Sequence, residues 1–103
     1  MAIVKCSTPV GNELRKGPTD AGYDLRNAEE SLISKPGEIT LVNTSTRIQM
    51  PKSFYAMVCS KSGLASKGVF VLNSPGIIDS LYVDDIKVIL CNLGIRGNYD
   101  WKK

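Results

Sequence analysis

Histidine is missing altogether from the 103 residues, which removes Ser–His–Asp triads, Cys–His pairs and any histidine general base. Proton transfer is left to carboxylate, lysine, tyrosine or water. Cysteine is sparse: Cys6, Cys59 and Cys91 are far apart, form no C-x-x-C pair and, without histidine, make no zinc ligand set. An odd number of isolated cysteines reads as reduced thiols in a cytosolic compartment. No apolar run approaches the ~20 residues of a membrane span. The N-terminus also lacks the charged-then-apolar layout of a signal peptide. A cytoplasmic protein without a membrane partner is therefore expected. Basic residues exceed acidic ones by a formal +3 but are scattered from Lys5 to Lys103 without forming a stripe, so polymeric nucleic acid is not an expected partner. A small polyanion, held by a few cations and backbone N–H groups, remains compatible. Repeats, low-complexity tracts and linkers are absent as well.

What is present suits one small domain. At 43% apolar and 22% charged residues, the composition is that of an ordinary globular chain. A chain of this length buries roughly 65% of the surface its unfolded form exposes, so association with further copies would add stability. Short β-rich runs recur at residues 2–6, 39–42, 46–50, 54–60, 68–72 and 85–91. They are separated by turn-forming pairs such as Gly17-Pro18, Pro36-Gly37, Ser62-Gly63 and Pro75-Gly76. That spacing predicts an all-β sandwich or barrel. The best helical window, residues 28–34, is too short to be stable alone. Within 46–50, alternation puts Thr46, Ile48 and Met50 on a core face and Arg47 and Gln49 outside. The nearly continuous apolar run Ile86, Val88, Ile89, Leu90, Cys91 predicts a strand covered on both faces. After Asn92 the periodicity is lost, and residues 93–103 read as a terminal loop or arm beside a β domain of residues 1–92.

Three segments can carry chemistry. In Asp20-Ala21-Gly22-Tyr23-Asp24-Leu25, small residues turn the backbone between two carboxylates, one of which can hold a hydrated Mg²⁺. Plain turn aspartates give the same pattern. In residues 60–68, hydroxyls, Lys61, Lys67 and two glycines can form a nest of N–H donors around phosphate. The segment is not a Walker A loop, and a solvated polar loop is the alternative. In residues 73–82, a turn delivers Ile77 and Ile78 into apolar surroundings and then presents Asp79, a carboxylate that with the right geometry can orient and deprotonate a water. A hairpin whose aspartate only caps a turn would look similar.

Taken together, Ala21-Gly22-Tyr23-Asp24-Leu25, Lys61-Ser62-Gly63-Leu64-Ala65 and Gly76-Ile77-Ile78-Asp79 with Tyr82 resemble, in order and separation, the first three motifs of the trimeric dUTPase family. Pro36-Gly37-Glu38 and Met50-Pro51 extend the resemblance across about residues 2–92. It implies a distorted jelly roll (β-clip), assembly as a homotrimer and nucleotide sites at subunit boundaries. It further implies that Asp79 aligns the attacking water and that Tyr82 stacks on deoxyribose, excluding a 2′-hydroxyl. Asn73, Gly76, Ile77 and Ile78 would read the uracil edge. Lys61, Ser62 and Gly63 would hold phosphate, and Asp24 would support Mg²⁺ through water. The implied reaction is hydrolysis of dUTP to dUMP and pyrophosphate.

Departures from the family pattern leave two readings open. Lys61 stands where the family usually has arginine, keeping the charge but losing the bidentate fork. Val83, Asp84 and Asp85 follow Tyr82 in place of arginine, glycine and an acidic residue, and Asp84 would repel a polyanion if it faced one. Counterparts of the family's fourth motif and Gly-rich fifth motif are not found after Asn92. The first reading is an abbreviated dUTP diphosphatase. The second is a dUTPase-fold protein, weakly active or inactive, that binds or sequesters a nucleotide, a signalling nucleotide included, or serves as a regulatory partner.

Overall fold

Runs of β-branched residues between glycine- and proline-bearing turns give the backbone little room for helix. The computed structural model, which describes residues 4–102, is built accordingly. Among the described residues the strands are β1 (Lys5–Ser7), β2 (Ser31–Ser34), β3 (Ile39–Asn43), β4 (Arg47–Gln49), β5 (Ala56–Val58), β6 (Val69–Val71), β7 (Gly76–Ile78), β8 (Lys87–Asn92) and β9 (Tyr99–Lys102). The one helix, α1 (Ser62–Ala65), is a single turn. None is long and apolar enough to cross a membrane. Every pairing is antiparallel: β1 with β4, β2 with β9, β5 with β7, and β8 between β3 and β6. The all-β expectation holds, and each of the six expected runs carries a strand, although residues 2 and 3 of the first lie outside the described residues.

Two expectations about local structure change. The helical window 28–34 contains β2 instead, because a four-residue ladder with β9 satisfies backbone groups that so short a helix would leave open. The stretch after Asn92, expected as a loop or arm, turns back to form β9, pairing Leu32 with Trp101 and Ser34 with Tyr99. Gly94 makes that return possible. Its φ is +84°, and a Cβ there would lie 2.8 Å from the Pro36 Cβ.

The core forms where β8 is flanked on both edges. Val88 and Leu90 point inward with Val42 of β3 and Val69 of β6, and Leu25, Leu32, Val58, Leu64, Tyr99 and Trp101 pack around them. The outward residues of β8, Ile89 and Cys91, are only half-buried, so the double coverage expected for this strand is complete on its inner face alone. β4 follows its predicted alternation, with Thr46 buried and Arg47 and Gln49 exposed.

Buried polar side chains tie the chain ends to this core. Asn92 donates from Nδ2 to the carbonyls of Ser34 and Gly97, both at 2.9 Å, and accepts the Gly94 N–H at 2.8 Å. Asn27 donates to the Trp101 carbonyl at 2.8 Å while its own carbonyl accepts from Asn12. Losing such a partner strands buried acceptors, at a cost of about 1–3 kcal/mol. Urea unfolding followed by Trp101 fluorescence should therefore register that loss in Asn92→Ala. Leu93→Ala, at an exposed neighbour, should change stability by no more than about 0.5 kcal/mol.

Candidate functional site

The two carboxylates of the first segment have different roles. Asp20 accepts the Gly17 N–H at 3.0 Å and closes a turn, the ordinary reading of an aspartate beside glycine. Asp24 is held by its backbone, which donates to the Arg15 carbonyl at 2.8 Å, and its carboxylate faces Lys61 Nζ at 3.1 Å. Both partners are more than half exposed. Such a pair contributes no more than about 1 kcal/mol, and it can open to a ligand. No group of three or more His, Cys, Asp or Glu side chains among the described residues could hold a metal. A lone carboxylate of this kind fits an ion such as Mg²⁺ that keeps most of its waters and leans on substrate phosphates.

The expected nest at residues 60–68 is instead the single helical turn α1. Ala65, Ser66, Lys67 and Gly68 spend their N–H groups on the carbonyls of Lys61, Ser62, Leu64 and Ala65. Ser66 Oγ also donates to the Gly63 carbonyl at 2.8 Å. The N–H groups of Ser62, Gly63 and Leu64 open the turn, where helical geometry supplies no internal acceptor. Beside them, Asp24, Lys61 and Tyr23 rim a cavity of about 330 Å³ whose walls include Leu64, Val71 and Trp101. Burial raises the Tyr99 hydroxyl pKa against the opposing influence of Lys61, so the phenol stays protonated.

The third segment runs through β7, which pairs antiparallel with β5 across an intervening stretch that carries α1 and β6. Ser74 Oγ accepts the Ser60 N–H at 3.0 Å, joining the start of this segment to the residue before Lys61. Asn73 packs on Gly76, where a Cβ would come within 3.3 Å of Asn73 Nδ2. β7 then runs away from that junction, and strand alternation turns Ile78 inward but leaves Ile77 54% exposed opposite Met57. Of the two isoleucines expected in apolar surroundings, Ile78 is half-buried and Ile77 exposed. Asp79, three residues and about 10 Å along the strand from Gly76, is exposed. Its carbonyl accepts the Tyr82 N–H at 3.0 Å, so Asp79 and Tyr82 flank one tight turn.

The sequence-derived residues thus fall into two groups. Asp24 and Lys61 line the cavity, with Ser62 and Gly63 next in the chain on α1, whereas Asp79 and Tyr82 flank the turn that follows β7 at the ladder end opposite the Ser60–Ser74 contact. Sequence reasoning missed Tyr99 and Trp101 at the cavity, because their placement depends on β9 pairing with β2 across the whole chain. It also missed Arg47, whose Nε donates to Asp85 Oδ1 at 2.8 Å and whose Nη2 lies 3.5 Å from Asp84 Oδ1. Asp84 therefore faces a cation. Only the opposite charges hinted at this contact, since the partners are 38 residues apart.

Comparison with known proteins bears on the same segments. A family model described as dUTPase matches residues 12–97. The chain is similar to the deoxyuridine 5′-triphosphate nucleotidohydrolase of Rickettsia akari, 53% identical over 78 residues that are 74% of this chain and 53% of that protein. The enzyme of the same description from Chlamydia pneumoniae is 44% identical over 95 residues, covering 88% of this chain and 66% of that protein. The chain thus spans about half to two thirds of the length of these relatives. Among solved structures, a mutant dUTPase from phage phi11 of S. aureus, described as coordinating a structural Mg(II) ion, superposes with a TM-score of 0.81 at 21% identity, over 97% of this chain and 82% of that one. The distorted jelly roll of that fold is the fold of this chain.

The Asp85 carboxylate gives this region a pH signature. Its hydrogen bond from Arg47, then that from Asn43, holds its pKa below the ordinary aspartate range. A lowered folded-state pKa means that the contribution to stability is complete above the ordinary aspartate range and disappears as pH falls through the lowered value. Carboxyl ¹³C NMR titration should find Asp85 titrating below the ordinary aspartate range, and Arg47→Ala should move it back toward that range.

Proposed function

Because the chain belongs to the dUTPase family, we propose that it hydrolyses dUTP to dUMP and pyrophosphate at a site completed between copies of itself. The observation that carries this reading is the turn in which the Asp79 carbonyl accepts the Tyr82 N–H at 3.0 Å, because it keeps an exposed carboxylate beside an exposed aromatic ring.

In this mechanism the uracil edge meets Asn73 and the backbone of Gly76, Ile77 and Ile78. The Tyr82 ring lies on deoxyribose and takes the space a 2′-hydroxyl would need. Asp79 aligns a water and accepts its proton as the oxygen attacks the α-phosphorus. The bond between that phosphorus and the oxygen it shares with the β-phosphorus breaks, and pyrophosphate leaves with the shared oxygen. Lys61 supplies positive charge, and the Ser62 hydroxyl and the N–H groups around Gly63 donate to phosphate oxygens. Asp24 would hold a hydrated Mg²⁺ through its waters, and such an ion supplies neutralisation of the triphosphate charge.

A homotrimer is part of the proposal. Lys61 follows the Val58–Gly76 end of the β5–β7 ladder and Asp79 follows its Ala56–Ile78 end, which favours a site to which one copy gives its phosphate-holding end and another its Asp79 turn. The exposed area of 6946 Å² exceeds the about 5,700 Å² expected of a compact monomer of this mass. Outward-facing Ile39 and Leu41 on β3 are 62% and 61% exposed, and association would cover them. The three free cysteines suit a reducing cytoplasm.

The test is pyrophosphate release and bound nucleotide, followed in the same samples with dUTP and Mg²⁺. The protein should release pyrophosphate, and Asp79→Asn should slow release by about 10²–10⁴-fold while still binding dUTP. Stoichiometric binding without release by the unaltered protein would sink the hydrolase reading.

A further inference from the structure

The turn that carries Tyr82 is fastened to the sheet through acidic residues that the mechanism above does not use. Tyr82 Oη donates to the Asp85 carbonyl at 2.6 Å, so the ring sits where the Asp85 backbone puts it. That backbone is fixed by its side chain. Asp85 Oδ1 accepts from Arg47 Nε at 2.8 Å, and Oδ2 accepts from Asn43 Nδ2 at 3.1 Å. Asp84 Oδ1 accepts the Asp85 N–H at 2.7 Å and lies 3.5 Å from Arg47 Nη2. The next residue, Ile86, is buried and donates to the Thr46 carbonyl at 2.8 Å, beside Arg47 in the chain.

We propose that Arg47 is a positioning residue for Tyr82, which orients the ring through Asp85 and at the same time neutralises Asp84 and Asp85 so that a polyanionic nucleotide can approach the turn. One guanidinium bridges both carboxylates, a geometry that lysine's single ammonium cannot reproduce. The lowered pKa of Asp85 agrees with a persistent contact. The assignment rests on the reading that this turn binds dUTP, and the experiment separates the two.

Steady-state kinetics on the assembled protein would compare Arg47→Ala, Arg47→Lys and Arg47→Ala combined with Asp84→Asn. Arg47→Ala should raise KM for dUTP on the order of tenfold with kcat little changed, and should erode preference for dUTP over UTP. The KM defect should shrink at high salt, because exposed carboxylates are screened. Arg47→Lys should recover part of KM but little sugar preference, and Asp84→Asn should recover part of KM in the alanine background. In parallel, NMR of ring-labelled tyrosine should find the Tyr82 ring more mobile in Arg47→Ala. An unchanged Tyr82 ring in folded Arg47→Ala, or unchanged KM and sugar preference, overturns the proposal. Failure of the unaltered protein to bind dUTP would instead remove the hydrolase reading, and the ring measurement would still decide whether Arg47 positions Tyr82.

Discussion

Strand β8 is the constraint on which the rest depends. It is bonded on one edge to β3 and on the other to β6, so its backbone groups are satisfied without water and its inward side chains can be fully dry. Val88 and Leu90 supply the apolar centre, and Asn92 supplies a polar end that holds the carbonyls of Ser34 and Gly97. One strand therefore sets the core, the end of β2 and the turn into β9. An apolar residue in place of Asn92 would fill the same space and leave three backbone groups without partners.

The functional surface is arranged around that frame by short-range means. The cavity is lined in part by Leu64 of the single helical turn and by the Asp24–Lys61 ion pair. The Asp79 turn follows β7 at the Ala56–Ile78 end of the β5–β7 ladder; Ser60 and Ser74 brace the other end, and Arg47 and Asn43 hold Asp85 beyond the turn. Much of this surface is exposed and charged, so its contacts contribute direction more than stability. Exposed polar contacts of this kind strengthen when water is excluded from them.

Legibility followed the range of the interactions. The six runs of β-forming residues were visible because alternation and turn chemistry are local. β2 and β9 were not, because neither has a pattern of its own, and each becomes a strand only by meeting the other. β7 was missed as a strand because Gly76-Ile77-Ile78 is too short to display a period. For the candidate site, order and spacing put forward Asp24, Lys61, Asp79 and Tyr82. Which of the carboxylates in the first segment merely closes a turn depended on where Lys61 reached. The two acidic residues after Tyr82 read from sequence as a hindrance to a polyanion, and the fold supplies their cation from β4.

By itself the sequence determined the chemistry that is excluded, the all-β class and the family, since each follows from residue identity and local spacing. Only the tertiary structure decided that Arg47 meets Asp84 and Asp85, that Tyr99 and Trp101 line the cavity, and that Asp24 pairs with Lys61. Those relations join positions tens of residues distant, and their geometry is set by strand pairing and burial, which no local pattern encodes.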